Sequence, residues 1–163
     1  MAMRRRVTNQ RGMTLAEVLV AIAIIGVGLA ALAAAIPIAG YGIQEGSQLS
    51  TATFLANARL EQVKNAAWTT TPSADNLGVS SGSAAPQSGG TTTFPDENPV
   101  AAPYTAYSRT VRVTDCGAGG GCAGITDANL RQVTVTVAYR PLTGVGQSPA
   151  TKSATVTILI AKR

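Results

Sequence analysis

The sequence predicts an α+β protein in which one long N-terminal helix, membrane-spanning in its first half and amphipathic in its second, packs on a small antiparallel β-sheet. Three observations carry that prediction. Residues 18–40 are a run of 23 apolar and small residues with a single proline and no charge. Residues 49–67 repeat apolar side chains at helical spacing. The C-terminal part, residues 104–163, holds three stretches rich in Val, Thr, Ile and Tyr, two of which alternate with period two.

Composition narrows the function before any element is considered. The 163 residues include no His, two Cys and seven aromatics. Catalytic triads, Cys–His dyads and His-based zinc or haem sites are therefore excluded, and two Cys alone make a poor metal site. No enzyme, cofactor or metal centre is expected. The formal charge of +5 comes mostly from Arg4, Arg5, Arg6 and Arg11, because from Met13 onward nine basic side chains face eight acidic ones. A basic run directly before an apolar segment reads as a membrane-orientation signal. The body lacks the basic, aromatic-rich face that nucleic-acid binding needs, so no nucleic-acid partner is expected.

Residues 1–12 form the basic leader, and residues 13–40 the apolar helix that follows. At ~1.5 Å rise per residue the 23-residue run reaches ~35 Å, enough for a hydrocarbon core of ~30 Å. The four arginines on its N-terminal side place the N-terminus in the cytoplasm and everything after about Tyr41 outside. A cleaved secretory signal ending in the small residues Ala33-Ala34-Ala35, or a plain uncleaved anchor, would account for the apolar run. Neither accounts for Glu17, an ionisable group at the mouth of a membrane helix, where such groups are functional candidates.

The boundary reads Arg11-Gly12-Met13-Thr14-Leu15-Ala16-Glu17-Val18-Leu19-Val20-Ala21. It resembles the N-terminal processing site of type IV pilins and of the pseudopilins of type II secretion. The resemblance implies that a prepilin peptidase cuts between Gly12 and Met13, that Met13 is then N-methylated, and that Glu17 is the glutamate at the fifth mature position. Met13 stands where Phe is commonest, and Ala16 where a larger aliphatic residue is usual. The spacing has a physical reading of its own. Cleavage creates a cationic amine on Met13, one helical turn from Glu17. When such helices bundle away from water each amine needs a counter-charge, because an unpaired buried charge costs several kcal/mol. The resemblance implies that Glu17 of an incoming subunit supplies it to a neighbour and so sets axial register. Ala21, Ala23, Gly26, Gly28, Ala30 and Ala31 are small enough for close helix packing, and Pro37 is expected to kink or loosen the helix, helped by Gly40 and Gly42.

Residues 41–68 continue the helix as an amphipathic element. Leu49, Ala52, Ala56, Leu60, Val63 and Ala67 form its apolar face, while Gln48, Asn57, Arg59, Glu61 and Gln62 occupy the other, with Glu61 one turn from Lys64. The string Leu55 to Val63 also resembles the post-membrane helix of minor pilins of the PilV kind and of related minor pseudopilins. Residues 69–103 hold five prolines and four glycines among many Ser and Thr, which predicts a loop, either a partner-contacting surface or a solvated connector.

Residues 104–163 form the β-meander, with strands expected over 104–114, 130–140 and 152–162 and an apolar face on the amphipathic helix. Cys116 and Cys122 flank a Gly-rich segment between the first two strands. A disulfide closing that hairpin tip is expected, free thiols being the alternative.

Taken with the resemblance, these features imply a structural minor subunit of a type IV pilus whose partners are prepilin peptidase and other pilin or pseudopilin subunits. It would be a single-pass inner-membrane protein before assembly, and then part of a pilus or periplasmic pseudopilus. The alternatives are a minor pseudopilin of a type II secretion system and a membrane-tethered adhesin or DNA-uptake binding protein.

Overall fold

The computed structural model describes residues 12–69, 75–118, 122–141 and 151–162. The elements run in the order α1 (Leu15–Lys64), β1 (Gln87–Ser88), β2 (Thr91–Thr92), β3 (Tyr107–Asp115), β4 (Leu130–Tyr139) and β5 (Lys152–Ala161). One long helix and two small antiparallel sheets make an α+β fold. The chain divides into two compact units, Met1–Gly42 and Ile43–Arg163, so that α1 contributes its first part to one and its last part to the other.

The second unit is a helix-on-sheet layer. Its larger sheet has the order β3-β4-β5, both pairs antiparallel. Register places Val111, Val135 and Val156 in one row across the three strands, and Val113, Val133 and Ile158 in the next. Alternation sends these to one face, where they meet Ala52, Leu55, Ala56, Leu60 and Val63 of α1 in a single core. Each buried Val or Leu contributes roughly 1.5–3 kcal/mol over exposure, so these rows hold the layer together. The opposite face carries hydroxyls: Thr134 meets Thr157, and Thr136 meets Thr155, each at 3.2 Å.

The helical face differs at both ends from the expected one. Leu55 is buried and Leu49 is 46% exposed, lying beside Gln48 where the sheet ends: Gln48 Nε2 donates to the Arg140 carbonyl, and Tyr107 Oη donates to the Gln48 carbonyl. At the other end α1 stops at Lys64 rather than near Ala67. The Ala66 amide turns back to the Val63 carbonyl at 3.1 Å, and the Ala67 carbonyl is taken by the Asn76 amide at 2.8 Å, so neither can extend the helix. The Glu61–Lys64 pair closes the last turn at 2.7 Å. Arg59, on the face expected to be solvated, lies instead over the Phe94 ring and 3.5 Å from Glu97. Burial pushes its guanidinium below the ordinary value, with Glu97 opposing.

The segment after the helix is more ordered than its composition suggests. Leu77, Phe94 and Val100 are buried, and Leu77 and Phe94 join the core. Gly89 and Gly90, both at positive φ, form the two-residue turn that joins β1 to β2. Ser80 and Val100 donate main-chain hydrogen bonds to Val113 and Tyr107, and Glu97 bridges Arg109. These ties bring the segment along the outer edge of β3. The first strand starts at Tyr107 rather than at 104, because the Tyr104 and Tyr107 amides close successive turns onto Ala101 and Tyr104.

One buried and one partly buried ion pair fix the ends of this segment. Arg131 donates to Asp75 at 2.7 Å while its guanidinium covers the Trp68 ring at 4.6 Å, and Asp75 also accepts from the Leu77 and Gly78 amides. Arg109 Nε donates to Glu97 at 2.6 Å, and Arg109 Nη1 reaches the Leu55 carbonyl at 3.1 Å. At the surface, Arg112 grips Asp96 through two hydrogen bonds of 2.6 and 2.8 Å, which holds the Asp96 carboxyl below its usual range.

Cys116 and Cys122 are joined in a disulfide, both sulfurs buried, between β3 and β4. Gly117 is required there, since a Cβ at that position would come within 2.6 Å of the Ala128 Cα.

Candidate functional site

Gly12 and Met13 precede α1 in the described chain, and Glu17 lies in its first turn. Thr14 caps the helix: its hydroxyl accepts from the Glu17 amide at 3.3 Å, and its carbonyl accepts the first helical hydrogen bond from Val18 at 3.2 Å. Thr14-Leu15-Ala16-Glu17 thus has the spacing of a capping box, a local signature that the sequence reading passed over. Glu17 lies in the first turn, where the positive end of the helix dipole favours a carboxylate. Among the described residues that carboxylate has no hydrogen-bond or ion-pair partner. Its main-chain amide is satisfied and its charge is not.

Nothing in the described fold asks for glycine at position 12. A Cβ built there would meet no atom within 4 Å, and its backbone is outside the left-handed region. The residue is therefore accounted for neither by packing nor by strain. Gly26, Gly28, Gly40 and Gly42 are equally open. Among the described residues nothing in this chain packs into the space their smallness leaves.

The helix beyond Glu17 is apolar on every side. No side chain from 12 to 40 is buried, and Leu15, Leu19, Ile22, Ile25 and Leu29 are each at least 60% exposed. A helix that is hydrophobic all round has no solvated face to present to water. The element is long and apolar enough to cross a membrane. Pro37 lies within it and α1 continues past it, minus one main-chain donor.

In the second unit a cleft of about 570 Å³ is lined by Ala66, Asp75, Asn76, Ser88, Gly89, Thr91, Thr92, Thr93 and Phe94. Asp75, the ionisable group in that lining, is committed to Arg131. Among the described residues no cluster of His, Cys, Asp and Glu could hold a metal ion. Cys116 and Cys122, tied to each other, lie in the second unit, whereas Gly12, Met13, Glu17 and Pro37 all lie in the first.

Comparison with curated proteins and with solved structures returns no match. The family model described as the prokaryotic N-terminal methylation motif matches residues 7–33, which takes in Gly12, Met13, Glu17 and most of the apolar run. That motif, on a chain built of one long helix and two small antiparallel sheets, is consistent with a type IV pilin-like protein.

Proposed function

We propose that the chain is a minor subunit of a type IV pilus, cut between Gly12 and Met13 by prepilin peptidase, N-methylated on Met13 and assembled through its N-terminal helix. The observation that carries this reading is the Glu17 carboxylate, without a partner among the described residues, at the head of a helix with no other charge before Glu45. In a bundle of such helices that carboxylate is the natural counter-charge for the methylated amine of the next subunit. The open glycines along the helix support close packing, and Pro37 with Gly40 and Gly42 marks where the helix yields on assembly. Before assembly the apolar helix crosses the inner membrane with the arginine leader inside. The polar, Pro-rich exterior of residues 69–103 favours a minor role over one that must tile every turn of a fibre.

The methylation motif serves a minor pseudopilin of type II secretion equally well. Deletion of the gene separates the two. The pilus reading predicts reduced surface pili with undiminished export of folded proteins. Loss of exported enzymes with normal piliation assigns the chain to secretion, and normal phenotypes in both together with absence from sheared fibres point to a tethered binding protein.

A further inference from the structure

The two edges of the main sheet are treated unequally. Along β3 the chain covers itself: Glu97 and Arg109 exchange main-chain hydrogen bonds at 2.9 and 2.8 Å, Val100 donates to Tyr107 at 2.8 Å, and Ser80 donates to Val113 at 2.7 Å. Along β5 nothing equivalent is present among the described residues. Beyond its pairing with β4, the nearest main-chain tie is the Lys162 amide on the Asn129 carbonyl, past the strand's end.

Exposed edges are ordinarily blunted by proline, charge, a bulge or shortness. β5 has none of these. It runs ten residues, pairs with β4 at every position without a skip, and from Ser153 to Ala161 contains no charge, proline or glycine. The lysine that begins it, Lys152, is ion-paired with Glu45. Its core-facing side chains Val156, Ile158 and Ile160 are only half-buried, whereas Val135 and Val133, the β4 partners of Val156 and Ile158, are fully buried, so the apolar layer stops short at this edge.

We propose that the free edge of β5 accepts an extended strand donated by another subunit. The edge itself defines the donor. Amides and carbonyls that alternate along this edge, without main-chain partners among the described residues, require a main chain in extended conformation. The uncharged span from Ser153 to Ala161 requires a segment free of charge over about eight residues, and the half-buried row requires apolar side chains at alternate positions of the donor, with small polar ones between. The identity of the donor as a subunit of the same fibre rests on the reading above, while the capacity of the edge does not.

The test uses the full-length chain in detergent micelles and a capped synthetic peptide with the β4 sequence, residues 130–139, whose pattern already pairs with β5 in register. Hydrogen–deuterium exchange is read over β5. Alone, about half of the β5 amides should exchange fast, the half that points away from β4. Added peptide should slow that half at least about tenfold while leaving the β3 edge unchanged. Ile158→Lys, an inward charge at the edge, should abolish the slowing, and Leu159→Lys on the exposed face serves as a second variant if the first lowers β4 protection. No slowing at saturating peptide, or equal slowing in both variants, would overturn the proposal. Slowing without peptide that rises with protein concentration would also overturn it, by showing that the edge is closed by a second copy. A chain that takes the peptide and yet is missing from sheared fibres would sink the pilus reading and leave this one standing.

Discussion

Arg109 Nε donates to Glu97 Oε2 at 2.6 Å, and that contact locks the segment after the helix to the sheet and, through Arg109, to the helix itself. Arg109 is 9% exposed, so its charge depends on this one carboxylate, which also lies 3.5 Å from Arg59. A single acid therefore neutralises two arginines on different elements.

Glu97→Ala should accordingly destabilise the second unit by about 2–3 kcal/mol, because it leaves one buried and one half-buried guanidinium without a counter-charge. Denaturant unfolding of the full chain in micelles, followed through Trp68, measures it. A loss below about 0.5 kcal/mol, the size of a surface substitution, would show that solvent already screens the cluster.

The disulfide predicts a smaller and more local effect. Cys116 and Cys122 are six residues apart, and closing so short a loop removes little denatured-state entropy, about 2 kcal/mol at most. Cys116→Ser should lower stability by no more than that and leave the β-sheet intact by circular dichroism. Non-reducing digestion of the parent chain should yield one linked peptide pair. Complete failure of the variant to fold would mean that the bridge carries more of the unit than its span allows.

How much of this could be read from the sequence depends on how local each feature is. The helix, the three long strands and the Cys116–Cys122 spacing are contiguous patterns, and Val133, Val135 and Val137 alternate visibly. The pairs Glu97–Arg109 and Asp75–Arg131 join residues 12 and 56 positions apart, and no periodicity announces them. Leu77, Phe94 and Val100 are single apolar residues in a polar stretch, so their burial depends on a sheet that exists only after folding. The Thr14 cap is different. Its signature lies within four residues and was legible, but the apolar run beside it drew the reading toward the membrane.

Glu17 separates insertion from assembly. Glu17→Val removes a charge from the edge of the apolar span, which should ease insertion, and removes the counter-charge that a neighbour's amine requires. The variant should accumulate in membranes at normal level or above and fall to background in sheared fibres. Recovery in fibres at the parental level would show that this pairing is dispensable.

The described fold does not require glycine at position 12, whereas the proposed cleavage by prepilin peptidase does. Mass spectrometry of the mature N-terminus tests it directly, in the parent chain and in Gly12→Leu. The account predicts a parent chain beginning at Met13 with one added methyl group, and a variant that keeps its arginine leader. A mature chain beginning at Ile36, after the alanine run, or one still carrying Met1 to Gly12, would contradict it.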